Sequence, residues 1–299
     1  MSWPAGQLTG GLTAHDDQIH AFGARGWPLL KACRLGLLIL AAVGLHGQPR
    51  IQVPVTQQTI SIDGDSTDWR DVKALGAGIG FYPGDGRSGT PDHPGTTVLG
   101  TIDGADDCQV AIWMVHDGRY LYVLAEITDD DHEPFDALNS DYPAFREDTL
   151  QLYIDSANAR RRWISGAPIQ EQAGFEQFGV STDGNIWGEN CDFNTSGKLR
   201  QPAPQGSAPD GINWSVACTV RRLATGFLYV FEERIALAGK PGANMERLRP
   251  GRSYGFNAEF CDADRGTPLE GYIWWSSHSE IDAWNRPALW GTMILAPGP

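Results

Sequence analysis

The sequence predicts an all-β fold: an antiparallel, jelly-roll-like β-sandwich with long loop insertions. Three observations carry that expectation. From residue 52 onward the apolar runs are short and separated by clusters of Gly, Pro, Asp and Asn. Several runs alternate apolar and polar with a period of two, which fits a strand with one face on a core. Between them no stretch sustains a helical period over three turns, so alternating strands and helices around a parallel sheet are excluded.

Taken in order, "QVAIWMV" (109–115) and "RYLYVLAEI" (119–127) open the series, and "DGR" (117–119) joins them as a tight hairpin. In the second run Leu121, Val123, Ala125 and Ile127 share one face, with Tyr120, Tyr122, Leu124 and Glu126 opposite. "DTLQLYID" (148–155) turns Leu150, Leu152 and Ile154 inward and Gln151 and Tyr153 outward. "FLYVFEERIAL" (227–237), "SYGFNAEF" (253–260), "GYIWWSS" (271–277) and "LWGTMIL" (289–295) complete the set, with a short helix possible near 230–240. Three stretches read as insertions between strands, where added chain disturbs a core least: 80–97, the Arg-rich 156–168, and 197–211.

The chain has 299 residues, 41% of them hydrophobic, enough to bury a sizeable core. Its formal net charge of -14 argues against nucleic acid or an anionic membrane as partner, because both demand a basic footprint. The first 47 residues read differently. Lys31 and Arg34 precede the apolar "LGLLILAAVGL" (35–45), with small residues around its end. That is the pattern of an export signal, and the run is short for a membrane span. The division is therefore a signal or N-terminal extension over 1–47 and one β-sandwich domain over 48–299, secreted, periplasmic or on the cell surface. Cys108, Cys191, Cys218 and Cys261 then remain, enough for two disulfides whose pairing spacing alone leaves open.

The order of motifs resembles a known family. "ISIDGDSTDW" (60–69), "DGRYLYVLAEITDDD" (117–131) and "EDTLQLYID" (147–155) look like the opening of a family 9 carbohydrate-binding module. "GFLYVFEERIAL" (226–237), "YGFNAEFCDADRG" (254–266) and "WNRPALWGTMIL" (284–295) continue the match in the same order. The resemblance implies a secreted, non-catalytic β-sandwich that clamps a poly- or oligosaccharide between two aromatic rings, often with bound calcium and beside a glycoside hydrolase. Carried across by motif, the two rings are Trp284 and Phe145. Physically, aromatic faces suit the apolar C–H faces of a pyranose, while polar groups meet its hydroxyl rim. Gln151, Asn285 and Arg286 are the candidates for that rim. The sequence departs from the family at two points: Gln151 stands where a Glu is usual, and Gly179 where an Arg is usual. Glu176 or Gln177 is placed to substitute.

Acidic residues cluster at strand ends: Asp63, Asp65 and Asp68; Asp129, Asp130 and Asp131; Asp262 and Asp264. Calcium needs six to eight oxygens, so several loops must combine to supply them. Asp129, Asp131, Asp262 and Asp264 are the expected ligands. Glu126, Glu232 and Glu233 are carboxylates on strands, but no catalytic motif frames them, and hydrolysis is not expected from this chain itself. One alternative is a haem-binding electron-transfer domain on a related sandwich, using Met114 with His116, or Met293. A second is a scaffold that has lost its sugar site.

Overall fold

In a computed structural model, the structure is described for residues 49–75, 78–81, 97–100, 102, 104–133, 147–160, 174–182, 186–187, 214–238, 245–264, 267–276, 284 and 286–298. Leu45–Pro299 form one compact unit, and the segment before it lies outside the described residues. Two sheets face each other. The larger runs in the order β1 (Arg50–Val53), β13 (Gly291–Leu295), β11 (Ser253–Asp264), β6 (Thr149–Asp155), β7 (Phe175–Ser181) and β8 (Ile186–Trp187). Beside β11 it adds β12 (Thr267–Trp274), which pairs in turn with β3 (Thr97–Gly100). The smaller sheet runs β2 (Gly78–Phe81), β4 (Cys108–His116), β5 (Tyr120–Asp129), β10 (Phe227–Ala236) and β9 (Trp214–Arg222). Among the described strands the pairings are antiparallel except that β1 lies parallel to β13, with Ile51 opposite Met293, and a parallel bridge then joins Val55 to His116. The larger sheet is therefore mixed.

Alternation sorts the side chains as the sequence pattern requires. Leu121, Val123, Ala125 and Ile127 of β5 face the space between the sheets, with Leu150, Leu152 and Ile154 of β6 and Phe256, Ala258 and Phe260 of β11. Burying each large apolar side chain contributes about 1.5–3 kcal/mol. The opposite face of β5 is covered too. Tyr122 and Leu124 pack with Ile60, Trp69 and Val72, carried by the segment before β2 and its short helix α1 (Arg70–Ala74). The hairpin between β4 and β5 turns on Gly118, whose φ of 86° needs a residue without a Cβ. Among the described residues no helix is long and apolar enough to cross a membrane.

Several expectations are corrected. The helix considered near 230–240 is strand β10, because Tyr229, Phe231 and Ile235 alternate into the core. Glu232, on its other face, is fixed by the main-chain N–H groups of Asp63 (2.9 Å) and Gly64 (2.6 Å) and the indole N–H of Trp69 (2.7 Å). This carboxylate ties the 60–69 segment to the sheet. The closing strand starts at Gly291, after a single 3-10 turn over Pro287–Leu289. Gln151 and Tyr153 do point away from the inter-sheet core, yet both are buried. No disulfide joins any two of Cys108, Cys218 and Cys261, and Cys191 lies outside the described residues. Met114 is a fully buried core side chain, as is Met293, and His116 Nε2 lies 3.0 Å from the carbonyl of Ala296. The strand-end packing thus accounts for the residues on which the haem reading rested.

Candidate functional site

Two buried polar regions stand out, one on each side of the larger sheet. The first lies on its outer face. Because β6, β7, β11 and β12 are in register, Gln151 sits opposite Gly179 and Glu259, and Glu259 opposite Trp274. Tyr153 sits opposite Gln177 and Asn257. These side chains therefore share one face. The Gln177 amide donates to Gln151 Oε1 at 2.6 Å, and the Gln151 amide donates to Cys261 Sγ at 2.8 Å. The Tyr153 hydroxyl lies between Gln151 Oε1, at 2.9 Å, and the carboxyl of Glu259. Burial pushes the Glu259 carboxyl up to about 8, so at neutral pH it is largely an uncharged acid, able to donate as well as accept. Gln177, not Glu176, occupies this face, since Glu176 alternates to the other side with Ile154.

Aromatic rings surround that network. Tyr153 stacks on Trp274 with centroids 5.7 Å apart, and Trp290 lies 5.5 Å from Tyr153 and 5.4 Å from Phe175. Trp284 and Tyr272 are half-buried at the margin of this cluster. The tryptophans of the closing segment are therefore unlike each other. Trp290 is fully enclosed, whereas Trp284 presents part of its ring outward. Phe145 and Asn285 lie outside the described residues; Arg286 is half-buried two residues after Trp284.

One contributor was not apparent from the sequence. After β6 the chain turns through Asn158 and Arg160, both with left-handed φ (49° and 54°). Asp155 holds this turn by accepting from the N–H groups of Ala159 (3.2 Å) and Arg160 (2.7 Å). The guanidinium of Arg160 then donates to the carbonyls of Pro287 (3.0 Å), Trp290 (2.8 Å) and Gly291 (3.0 Å) and to Thr292 Oγ1 (2.9 Å). A residue of the Arg-rich insertion thus clamps the segment that follows Trp284.

The second region lies between the sheets, at one end. The core-facing rows of β4, β5 and β11 end in polar residues: Val110 is followed by Cys108 toward that end, Ile127 by Asp129, and Phe260 by Asp262 and Asp264. Cys108, Asp129 and Asp262, all buried, bring one ligand atom each within 4.8 Å of one another. Asp107, Asp262 and Glu270 form a second such group, and Asp129, Asp130 and Asp264 a third. Burial first, and then the negative charge of Asp148 beside both, push the Asp129 and Asp262 carboxyls well above the ordinary range. Asp148 is also buried here but is satisfied by four donors: the N–H groups of Glu133 (2.9 Å) and Ala263 (3.1 Å), the Tyr229 hydroxyl (2.9 Å) and the His132 ring (3.3 Å). By contrast, among the described residues Oδ2 of Asp129 and both oxygens of Asp262 meet no N–H or O–H donor. Such oxygens suit a hard cation, which would draw ligands from both sheets and tie them together. Of the four expected ligands, Asp129, Asp262 and Asp264 converge. Asp131 enters through its main chain, donating to Asp129 Oδ1 (3.1 Å) and accepting from Tyr229 (2.8 Å). Cys108, Asp107, Asp130 and Glu270 are additions that the sequence reading missed.

Comparisons with known proteins agree with this architecture. Residues 94–297 match the family described as carbohydrate family 9 binding domain-like. A family 9 carbohydrate-binding module from Caldicellulosiruptor kristjanssonii, solved in complex with cellotriose, is 19% identical. It superposes with a TM-score of 0.53 over 84% of this chain and 95% of its own. The same organism's module in complex with glucose gives a TM-score of 0.53 at 18% identity, over 84% and 97% of the two chains. Exoglucanase XynX of Acetivibrio thermocellus is 24% identical over 208 residues, which are 68% of this chain. The match spans only 15% of that enzyme's length.

Proposed function

Because this chain belongs to the carbohydrate family 9 binding domain-like family, we propose that it is an exported, non-catalytic module that binds a neutral glycan. The glycan lies against the outer face of the larger sheet, with Trp284 as stacking platform. The observation that carries the reading is the composition of that face: amide, phenol and uncharged acid held together and rimmed by aromatic rings. It offers hydrogen bonds and apolar area with little net charge, which suits a neutral polyhydroxy ring. Phe145 is the proposed opposing ring, and Gln151, Asn285 and Arg286 serve the hydroxyls. Calcium, held by Asp129, Asp262 and Asp264 with Asp107, Asp130 and Glu270, fixes the end of the sandwich and takes no part in stacking. The match to part of an exoglucanase supports a role in glycan breakdown beside a glycoside hydrolase. The leader-like segment 35–45 supports export.

Glucose and cellotriose, the sugars bound by the solved relatives, are the first ligands to titrate calorimetrically. Trp284→Ala should weaken binding by about tenfold or more, about 1.4 kcal/mol, while lowering Tm by only a few degrees. Global unfolding of the variant would place Trp284 in the core instead. No heat with either sugar, nor with a wider oligosaccharide panel, would mark a scaffold whose sugar site is lost.

A further inference from the structure

The acidic end of the core contains a sulfur that a calcium site does not call for. Cys108 opens β4 directly opposite Asp129 of β5, so its thiol faces the same space as the two unsatisfied carboxylates. All three side chains are buried. Of the carboxylates that complete the neighbouring groups, Asp107, Glu270 and Asp264 are half-buried and Asp130 is exposed, so the cluster runs from a sulfur-bearing floor to an all-oxygen mouth.

We propose that Cys108, Asp129 and Asp262 form a distinct inner position that binds a thiophilic divalent cation of the zinc or cadmium class, with Asp129 and Asp262 shared between it and the oxygen-only outer position. Three arguments lead there. Hard cations such as calcium choose oxygen, whereas thiolate selects softer ions. Ligand atoms within 4.8 Å of one another need only small side-chain adjustments to close on one ion with metal–sulfur bonds of about 2.3 Å and metal–oxygen bonds of about 2.0–2.2 Å. Finally, Asp262 is wholly buried with both oxygens lacking a donor, so it can bridge two cations. Among the described residues, the groups facing this position are Asp107, Asp129, Asp148, Asp262, Asp264 and Glu270, with Tyr229 and His132 beyond Asp148. No lysine or arginine appears among them. Binding displaces the thiol proton to solvent and forms a metal–sulfur bond, with no change of oxidation state.

This rests on the reading of the acidic end as a cation site, and the test separates the two. The full chain, stripped of metal, is titrated with cadmium chloride while the ultraviolet sulfur-to-cadmium charge-transfer absorption is recorded. The expected result is one equivalent of absorption that persists in Cys218→Ser and Cys261→Ser and is lost in Cys108→Ser, with Cys108→Ala as a second variant should the serine destabilise the fold. Absent absorption in the wild type, or absorption retained in both Cys108 variants, overturns the proposal. In parallel, calcium should raise the Tm of Cys108→Ser as it does the wild type. If calcium stabilises both proteins but cadmium gives no absorption, the inner position fails and the calcium site stands. If neither ion binds, Asp129 and Asp262 share a proton and both readings fall.

Discussion

The two buried polar regions of this sandwich contain similar groups and solve the burial problem in opposite ways. On the outer face of the larger sheet, Glu259 is closed into a network with Tyr153, Gln151, Gln177 and Cys261, and it stays uncharged at neutral pH. At the end of the inter-sheet core, Asp129 and Asp262 face each other with oxygens that no donor among the described residues reaches. A buried polar group costs little when hydrogen-bonded and much when it is not. The carboxyl of the first region is therefore satisfied without a charged ligand, and the Trp274 indole N–H and the Asn257 amide on that face, which meet no acceptor among the described residues, leave hydrogen bonds for a neutral one. The second becomes complete only when a cation or shared protons arrive. Satisfaction of the buried carboxylate, more than its position, tells the two chemistries apart.

The largest expected effect comes from exploiting that difference at the acidic end. At about pH 8, chelating calcium should lower Tm by roughly 5–10 °C, since an ion present at a hundredfold excess over its Kd contributes about 2.7 kcal/mol. Asp262→Asn should abolish the calcium-dependent rise in Tm, while the chelated variant becomes at least as stable as the chelated wild type. Differential scanning calorimetry with and without chelator measures both quantities. Equal Tm values for wild type in calcium and in chelator would remove the distinction between the regions.

A smaller effect is expected at Arg160. Its guanidinium links the chain after β6 to the backbone beyond Trp284, so on the proposed sugar-binding reading it would act through placement of that segment. Arg160→Ala should weaken cellotriose binding by about threefold to tenfold, with a stability loss of about 1–3 kcal/mol for the carbonyls left without their donor. Arg160→Lys restores the charge but not the fork, and should recover stability more than affinity. If both variants lose stability and keep wild-type affinity, Arg160 is structural only.

The sheet layers were legible in the sequence because period-two alternation in β5 and β6 is dictated by which face is buried. The same alternation carried a signal that the Asp-cluster reading passed over. Asp129 continues the inward row Leu121–Ile127, and Asp262 continues the inward row Phe256–Phe260, so these acids are in phase with the core and not with solvent. Turn chemistry alone does not put carboxylates there. Other features were not legible. The parallel seat of β1 on β13 depends on long-range pairing, and β10 reads locally as either strand or helix. Cover over an outer face such as that of Gln151 and Tyr153 leaves no mark in the strand's own sequence. Arg160 was hidden for a related reason: three of its partners are main-chain carbonyls more than a hundred residues away, and carbonyls have no sequence.

The smallest effect, and the one that tests the outer region directly, concerns Glu259. Burial raises its carboxyl from an ordinary 4.5 to about 8, so between those values the folded protein holds a proton that the unfolded chain has released. With fewer protons bound in the unfolded state, stability must fall as pH rises through this window, and the full cost is reached above about pH 8. Glu232, raised to about 7, and Glu233, raised to about 8, slope the same way. Only a difference between variants therefore isolates Glu259. Glutamine copies the shape of the neutral acid and can still meet the Tyr153 hydroxyl. Glu259→Gln should match the wild type near about pH 5 and exceed it by about 1–3 kcal/mol near about pH 9, with calcium responses unaltered. Urea unfolding across that range measures the gap. A gap that stays constant with pH would mean that Glu259 is charged throughout, and the outer face would then hold a buried charge that its hydrogen bonds from Tyr153 and Cys261 have to stabilise.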